Sequence, residues 1–184
     1  METSNLQIFP LAKLAYPENI IFGDRVILDD YIFIVAKDTV RLGNYVHIAS
    51  FTSVTGGGKF HIGDYSTLSS GVRIITGTED LDTPGLLGSA VPAPYRQPIR
   101  SEVRIGKHCM IGANTVILPG ADIPDGVVIG AGSLVLAKSK PGPWSIWAGN
   151  PLKYFKDRPR DAILAVAEQF EKDLVEGVVW GTEN

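Results

Sequence analysis

Aliphatic residues recur at every sixth position through much of the chain, and several of them are followed directly by glycine. Neither an α-helix, with 3.6 residues per turn, nor an alternating strand repeats at six positions. A triangular coil does, because three short strands joined by three corners place one aliphatic side chain inward on each side. Such a coil cannot bury its apolar side alone, so the pattern predicts coils that stack into a solenoid. The recurring positions are the aromatic Phe22 and the aliphatic residues Leu28, Ile34, Leu42, Ile48, Val54, Ile62, Leu68, Ile74, Ile105, Ile111, Ile117, Ile123, Ile129 and Val135.

The spacing between coils identifies a long insertion. Successive coils begin 20 residues apart up to Ile62, but the next begins 43 residues later, at Ile105, which equals one 18-residue coil plus 25 residues. The additional residues fall between Thr76 and Arg100, in a stretch rich in glycine and proline. Insertions in solenoids project as loops from one face, often the binding face. We therefore predict a functional arm at this position.

The ladder, the predicted arm and the string AGNPLK at residues 148–153 together resemble the hexapeptide-repeat acyltransferases. The similarity is greatest to the branch that contains the galactoside, maltose, xenobiotic and nucleotide-sugar acetyltransferases, and it spans roughly residues 20–158. It implies an all-β fold, a left-handed parallel β-helix that is usually a homotrimer and binds acetyl-CoA between neighbouring coils. The handedness follows from the resemblance alone, because the general crossover rule predicts a right-handed connection.

The rest of the chain is expected to complete a single domain. Residues 1–20 are interpreted as an N-terminal cap over the first coil. Residues 21–158 form the β-helix with its projecting loop at 76–102, and residues 159–184 form a C-terminal helix and tail.

The C-terminal helix is predicted from apolar spacing and its end signals. Pro159 suits the first turn of a helix, and apolar residues follow at helical spacing as far as Leu174. Gly177 is the expected end of the helix. We expect this helix to cover an open end of the β-helix or to pack on a neighbouring subunit.

Composition and charge exclude several classes of protein. The 184 residues carry a net charge of −3, which argues against a general nucleic-acid binder. No apolar run is long enough to cross a membrane, and the first residues lack the pattern of a signal peptide. Cys109 is the single cysteine, so an intrachain disulfide is impossible and a reducing cytoplasm is the expected location.

Three residues are candidates for handling the acceptor's proton. Histidine is the usual base in such reactions because its pKa lies near the operating pH. In many relatives this histidine lies near the start of the projecting loop, but the matching stretch here, residues 76–80, contains none. A similar histidine near the acyl site of bacterial amino-sugar acetyltransferases makes His47 one candidate. Glu79 and Asp80 occupy the place of the loop base, where they could accept a proton or hold an ammonium group. A solvent-facing corner histidine and a solvated acidic loop are the alternative interpretations.

The resemblance also assigns a donor site. In the family the pantetheine arm runs along parallel coils against small residues, and the string at 148–153 lies near the nucleotide end of CoA. The glycines among the matching positions would equally satisfy corner geometry without a ligand. Lysines near them could meet CoA phosphates as point charges. The candidate donor residues are Gly112, Ala113, Gly130, Ala131, Gly132, Lys138, Asn150 and Lys153.

The loop carries a candidate acceptor site. Tyr95, Arg96 and Arg100 lie beside three prolines. Arginine can bind phosphate with two hydrogen bonds and tyrosine can stack on a base, which together suit a nucleotide-linked sugar. The same residues could instead contact an adjacent subunit.

These observations predict an acetyl-CoA-dependent acyltransferase that requires no metal. The favoured acceptor is the amino group of a nucleotide-linked amino sugar, as in the biosynthesis of lipopolysaccharide and other surface polysaccharides. One alternative is O-acetylation of a saccharide with His47 as the general base. A second is a γ-carbonic-anhydrase-like zinc protein, which needs three histidine ligands. His47, His61 and His108 supply that number but are poorly spaced. A third is a non-catalytic scaffold, which CoA binding would distinguish from an enzyme.

Overall fold

Three parallel β-sheets form the sides of a triangular solenoid in the computed structural model, which describes residues 6–176. The strands are short, mostly of two or three residues, because each spans one side of the triangle. The chain order is β1 (Gln7–Ile8), β2 (Lys13–Ala15), β3 (Ile20–Phe22), β4 (Ile27–Leu28), β5 (Phe33–Val35), β6 (Val40–Leu42), β7 (His47–Ile48), β8 (Ser53–Thr55), β9 (Phe60–Ile62), β10 (Thr67–Leu68), β11 (Arg73–Ile75), β12 (Gly77–Glu79), β13 (Pro98–Arg100), β14 (Val103–Ile105), β15 (Met110–Ile111), β16 (Val116–Ile117), β17 (Asp122–Ile123), β18 (Val128–Ile129), β19 (Leu134–Val135), β20 (Ser145–Ala148) and β21 (Lys153–Asp157).

The three sides are named here face A, face B and face C. Face A has the strand order β1-β4-β7-β10-β15-β18-β20-β21, face B β19-β16-β11-β8-β5-β2, and face C β17-β14-β9-β6-β3. Each coil passes from face C to face A to face B, so the corners form three edges, C/A, A/B and B/C. The edge B/C lies opposite face A. Strands β12 and β13 form a separate antiparallel pair, and β20 and β21 are also antiparallel.

The six-residue ladder points inward, as the sequence predicts. On face A, Leu28, Ile48 and Leu68 pair in register from one coil to the next, and each is fully buried. The long insertion does not disturb this register, because Ile62 pairs directly with Ile105 on face C. Burying one such side chain contributes about 1.5–3 kcal/mol, so the stacked aliphatic columns are the main source of stability.

The N-terminal segment that the sequence predicts to be a cap contributes two strands to the solenoid. Strand β1 pairs with β4 and β2 pairs with β5, both in parallel, with Leu14 opposite Ile34. Leu14 is only partly buried, because among residues 6–176 this coil has a neighbour on one side only. Ile8 and Leu14 keep the six-residue step and precede Leu28 and Ile34 by 20 residues, the length of the early coils.

Residues 6–176 contain one α-helix, α1 (Arg160–Val175), which agrees with the predicted C-terminal helix. Gly177, its predicted stop, lies outside the described residues. None of the α1 residues is fully buried, so the helix lies on the surface of the solenoid. It contacts the C/A edge through Phe170, whose ring meets the ring of Tyr45 edge-on at a centroid distance of 5.1 Å. The Tyr65 hydroxyl donates a hydrogen bond of 3.1 Å to Glu171. Among residues 6–176, no helix is both long and apolar enough to cross a membrane.

An aromatic column runs along the C/A edge. Tyr65 stacks on Tyr45 and on His108 at centroid distances of 5.1 Å, and Trp144 covers His108 at 5.6 Å. All four residues have positive φ angles, a conformation that costs a residue other than glycine roughly 1–2 kcal/mol. Each stacked pair of rings stabilises the fold by about 0.5–1.5 kcal/mol, which offsets part of this cost. The intervening coil has Gly126, where an added Cβ would lie 2.3 Å from the Trp144 ring, so only glycine lets Trp144 reach His108.

Replacing His108 by phenylalanine should weaken the pH dependence of stability. Burial lowers the pKa of His108, and Arg158 and Lys107 also lower it, against an opposing effect of Asp125. Below about pH 6.5 His108 therefore binds a proton more readily in the unfolded chain than in the folded protein, and the free energy of unfolding falls as the pH falls. His108→Phe keeps a ring in the column and removes this titration. Thermal melts at about pH 7 and about pH 5 should show a smaller fall in Tm for the variant, and equal falls would contradict this.

Candidate active site

The projecting loop leaves the solenoid at the B/C edge through a short hairpin. Strand β12 pairs with β13, so that Gly77 lies opposite Arg100 and Glu79 opposite Pro98. Thr76 anchors the base of this hairpin to the previous coil. Its hydroxyl donates to the Thr55 carbonyl at 2.9 Å and accepts from the Gly58 amide at 2.9 Å. The loop therefore begins from a fixed position beside the preceding coil.

Glu79 holds the loop together through Arg96. Its Oε1 atom accepts a hydrogen bond from Arg96 Nε at 3.1 Å, a second from Arg96 Nη2, and one from the Gly88 amide at 3.3 Å. Its Oε2 atom is buried and has no hydrogen-bond partner among residues 6–176. The two side chains are 19% and 18% exposed. Glu79 and Arg96 thus pair through Oε1, and Oε2 is the part of the carboxylate that lacks a hydrogen-bond donor.

Asp80 is held as a carboxylate at the start of the loop. The Thr83 hydroxyl donates to its Oδ2 at 2.6 Å, and the Asp82 amide donates to its Oδ1 at 2.9 Å. These hydrogen bonds lower the pKa of Asp80, because they stabilise the charged form. Asp80 has no cationic partner in the described part of the chain. It is therefore an ionised, accessible group suited to binding a cation, and a weak base at neutral pH.

A cleft of about 460 Å³ opens between this hairpin and the preceding coils. Glu79, Arg96 and Arg100 line it together with Lys37, which comes from the B/C edge two coils earlier. Tyr95, the third candidate acceptor residue, is 63% exposed and lies outside the cleft. Two of the three residues predicted to bind an acceptor are therefore brought together with one of the predicted acidic residues.

His47 lies on a different side of the molecule. It is the first residue of β7 on face A, and face A is opposite the B/C edge from which the loop projects. Its Nε2 atom is 3.1 Å from Asp29 Oδ1, and the side chain is 45% exposed. It also lines a groove of about 340 Å³ with Ile27, Phe170 and Leu174. Within one chain the structure does not bring His47 to Glu79 and Asp80.

The predicted donor glycines lie on the A/B edge, where successive corners approach closely. The Gly112 amide donates to the Ile129 carbonyl at 2.7 Å, and the Gly130 amide donates to the Trp147 carbonyl at 2.8 Å. An added Cβ at Gly112 would lie 2.5 Å from the Ala131 amide nitrogen, and one at Gly130 would lie 2.8 Å from Ala148 Cβ. Coil stacking alone therefore requires these two glycines.

The same edge is open to a ligand further along. Gly132 has a φ of 66°, and a Cβ added there would meet nothing within 4 Å. Ala131 beside it is exposed, and Ala113 accepts a hydrogen bond of 2.8 Å from the Gly132 amide. Small residues thus leave a bare strip along the A/B edge, with room for a narrow, extended molecule.

Two of the other donor candidates share a cleft at the end of this strip. Lys138 and Asn150 line a cleft of about 370 Å³ together with Leu134 and Trp147. Lys153 is exposed at the start of β21, which pairs with β20, and does not line this cleft.

Three residues that the hydrophobic pattern does not single out lie at these sites. Lys37 and Gly57 line the loop cleft, and Asp29 contacts His47. The sequence spacing could have identified Lys37 and Gly57. Lys37, Gly57 and Gly77 lie at intervals of 20 residues, which is the length of the early coils. They therefore stack at the same corner.

The three histidines are not brought together. His47 is on face A, His61 on face C and His108 in the aromatic column of the C/A edge. In residues 6–176 no group of three or more histidine, cysteine, aspartate or glutamate residues could hold a metal ion. The three-histidine zinc arrangement considered from the sequence is therefore not formed by the described residues.

Comparison with known proteins agrees with this architecture. Residues 102–137 match the family model described as the hexapeptide repeat of succinyl-transferase. A probable macrolide acetyltransferase of Lysinibacillus sphaericus is 37% identical over 70 residues, which are 38% of this chain and 38% of that protein. The putative acetyltransferase YvoF of Bacillus subtilis strain 168 is 42% identical over 69 residues, 36% of this chain and 39% of its own length. The matches thus span about two fifths of these relatives.

A structural match covers nearly the whole chain. A single-residue variant of AntD, an N-acyltransferase from Bacillus cereus, superposes with a TM-score of 0.81 and 30% identity. The match covers 92% of this chain and 89% of that one. The chain belongs to the hexapeptide-repeat acyltransferases, and the predicted fold, a left-handed parallel β-helix with a projecting loop and a C-terminal helix, is confirmed.

Proposed function

We propose that this protein transfers the acetyl group of acetyl-CoA to the amino group of a nucleotide-linked amino sugar. The observation that carries the proposal is the likeness to AntD. One AntD variant, with a TM-score of 0.79 and 29% identity over 92% of this chain, forms a complex with dTDP-4-amino-4,6-dideoxyglucose and CoA. Two features of the described residues support it, a cationic cleft at the loop and a bare strip on the A/B edge.

The donor is assigned to the A/B edge. The extended pantetheine arm would lie along the small residues Ala113, Ala131 and Gly132, of which Gly132 has open space beside it. Lys138 and Asn150 would then meet the nucleotide end of CoA in the cleft that follows. The ammonium group of a lysine can bind a phosphate group as a point charge, which suits Lys138 to this role.

The acceptor is assigned to the loop cleft, with its amine reaching beyond the cleft to Asp80, which follows the lining residue Glu79 and does not itself line the cleft. Asp80 is ionised and has no cationic partner among residues 6–176, whereas Glu79 is occupied by Arg96. A carboxylate at this point would attract the protonated amine and orient it. The amine must lose one proton to water or a nearby base before its nitrogen attacks the thioester carbonyl. As the C–N bond forms and the C–S bond breaks, the nitrogen gives up a second proton and becomes the amide nitrogen. CoA leaves with the electron pair of the C–S bond as a thiolate, which takes up a proton to become the free thiol.

An amine acceptor fits the loop that this chain has. A neutral amine is a better nucleophile than a hydroxyl group and needs less help from a base. Correct alignment of the two reactants supplies much of the rate enhancement in such a reaction. The absence of a histidine from residues 76–80 is therefore compatible with N-acetylation.

We propose further that the site is completed by a second copy of the chain, in a trimer. In one chain, the loop cleft at the B/C edge and the donor strip at the A/B edge are separated by the width of face B, roughly 10 Å for a three-residue strand. The outer side of face B is largely apolar and half-buried, as expected for a surface that meets another copy. Its outward residues include Val35, Ile75, Val116, Leu118 and Leu134.

His47 remains a candidate base under this proposal. Asp29 accepts its Nε2 hydrogen in one tautomer, which would leave Nδ1 free to take a proton. Because His47 lies on face A, only a second copy could present it to the loop cleft.

The proposal is tested by measuring thiol release from acetyl-CoA with matched acceptors. We expect release with dTDP-4-amino-4,6-dideoxyglucose and little with the dTDP-linked sugar that carries a hydroxyl at the same carbon. Free amino sugar without the nucleotide should be a poor acceptor, because it lacks the phosphates that the cleft would bind. Equal release with the amino and hydroxyl acceptors would contradict N-acetylation, and no release with any acceptor would contradict the activity itself.

A further inference from the structure

Lys37 and Arg100 meet over a glycine in the loop cleft. A Cβ added to Gly57 would lie 3.2 Å from Lys37 Cδ and 3.5 Å from Arg100 Nε. Gly57 is buried, while both long side chains are exposed at their surface. The missing side chain at Gly57 therefore lets a lysine from one coil and an arginine from the loop approach the same point.

Neither of these two cations has an anionic partner. Within residues 6–176, Lys37 and Arg100 form no ion pair, while Arg96 in the same cleft is paired with Glu79. Two uncompensated positive charges thus face one cleft, beside a third whose charge is already satisfied. Like charges held at one point repel each other, and an anion bound between them would remove that repulsion.

We propose that Lys37 and Arg100 bind the diphosphate of the nucleotide-linked acceptor, with Gly57 as the floor of the site. This inference rests on the proposed function, which supplies a diphosphate. Arginine can hold phosphate oxygens with two parallel hydrogen bonds, and lysine adds a mobile point charge. Arg96 serves a different purpose, since it fixes the loop through Glu79. The two unpaired charges together make the site selective for a diphosphate over an uncharged sugar.

CoA also carries a diphosphate, and its assigned position separates the two ligands. The diphosphate end of CoA is assigned to the cleft lined by Lys138 and Asn150, so only the opposite, thioester end would approach the loop cleft, in the proposed trimer as well. Loss of Lys37 should therefore weaken the binding of a nucleoside diphosphate and leave CoA binding unchanged.

The test is calorimetric titration of the full chain with dTDP, with CoA and with inorganic pyrophosphate. Lys37→Met should weaken dTDP and pyrophosphate binding by about 10-fold or more, the usual value of a hydrogen bond to a charged group. Lys37→Arg should stay within about threefold of the unmodified protein, since the charge is retained. Lys59→Met is the matched control: Lys59 is another exposed lysine two residues beyond Gly57, outside the cleft, and its loss should change no affinity.

The outcomes separate this inference from the proposed function. If Lys37→Met binds dTDP as tightly as the unmodified protein, or if Lys59→Met weakens it equally, the inference is overturned even where acetyl transfer is observed. A fall in CoA affinity in Lys37→Met would overturn it as well. If no amino nucleotide sugar is acetylated, the proposed function fails. In that case the pyrophosphate titration tests the anion site by itself. The site is rejected unless Lys37→Met weakens pyrophosphate binding and Lys59→Met does not.

Discussion

Ala131→Trp is expected to abolish the thermal protection that CoA gives to the unmodified protein. Ala131 is exposed on the bare strip of the A/B edge, beside Gly132. A tryptophan there would project outward into the path assigned to the pantetheine arm, without entering the aliphatic core. A ligand that binds only the folded protein stabilises it by about 2.7 kcal/mol at 100 times its Kd. The difference in Tm with and without CoA should therefore be clear in the unmodified protein and absent in the variant.

Asp122→Trp provides the control for this change. Asp122 is exposed on the outer side of face C, away from both proposed sites, and its side chain is 65% exposed. It should accept a tryptophan with full retention of CoA protection. Size-exclusion chromatography should show the same assembly for both variants. If Ala131→Trp retains the CoA shift, the donor is not bound along the A/B edge.

Asp80→Asn is expected to lower kcat/KM for the amino acceptor by roughly 10- to 100-fold, mainly through KM. The carboxylate of Asp80 is already ionised, and the asparagine amide keeps the shape of the side chain but cannot attract an ammonium group. The expected size is that of a hydrogen bond between charged groups. Steady-state rates at saturating acetyl-CoA, with the amino nucleotide sugar varied, measure kcat and KM separately.

Two companion variants assign the proton-handling role. His47→Ala should lower kcat by about 10²–10⁴-fold if His47 is the base, since that is the usual contribution of a positioned base. Glu79→Gln should act mainly on the loop, because Glu79 binds Arg96 and the Gly88 amide. A collapse of kcat in Glu79→Gln beside normal kinetics in Asp80→Asn would show that the acceptor contact is assigned to the wrong carboxylate. Normal kcat in all three variants would indicate catalysis by alignment alone.

The repeating coils could be predicted because each one obeys the same local rule. An inward aliphatic residue every six positions fixes the faces, and the 43-residue interval before Ile105 locates the loop. The same rule extends into the first coil, because Ile8 and Leu14 lie six residues apart and 20 residues before Leu28 and Ile34. Interpreting residues 1–20 as a cap leaves this signal unused, and Ile8 and Leu14 pair in the structure with Leu28 and Ile34.

The contacts within the loop could not be read from a periodic pattern. Glu79 reaches Arg96 across 17 positions because the β12–β13 hairpin returns the chain, and nothing in the hexapeptide spacing determines that return. The sequence therefore groups Arg96 with the candidate phosphate-binding residues, whereas in the structure Arg96 forms an ion pair with Glu79. Lys37 is the opposite case. Its spacing of 20 residues from Gly57 indicates the shared corner, but its approach to Arg100 depends on the loop.

The central claim is that this chain joins an acetyl group to a nitrogen of a nucleotide-linked sugar. The most direct measurement is the linkage in the product when equal amounts of the 4-amino and 4-hydroxyl dTDP-linked sugars compete for limiting acetyl-CoA. Mass spectrometry before and after mild alkaline treatment distinguishes the two products, because an ester is hydrolysed and an amide survives. We predict that essentially all transferred acetyl is recovered as the alkali-stable amide of the amino sugar. An alkali-labile ester as the main product, or acetyl-CoA left intact, would contradict the account.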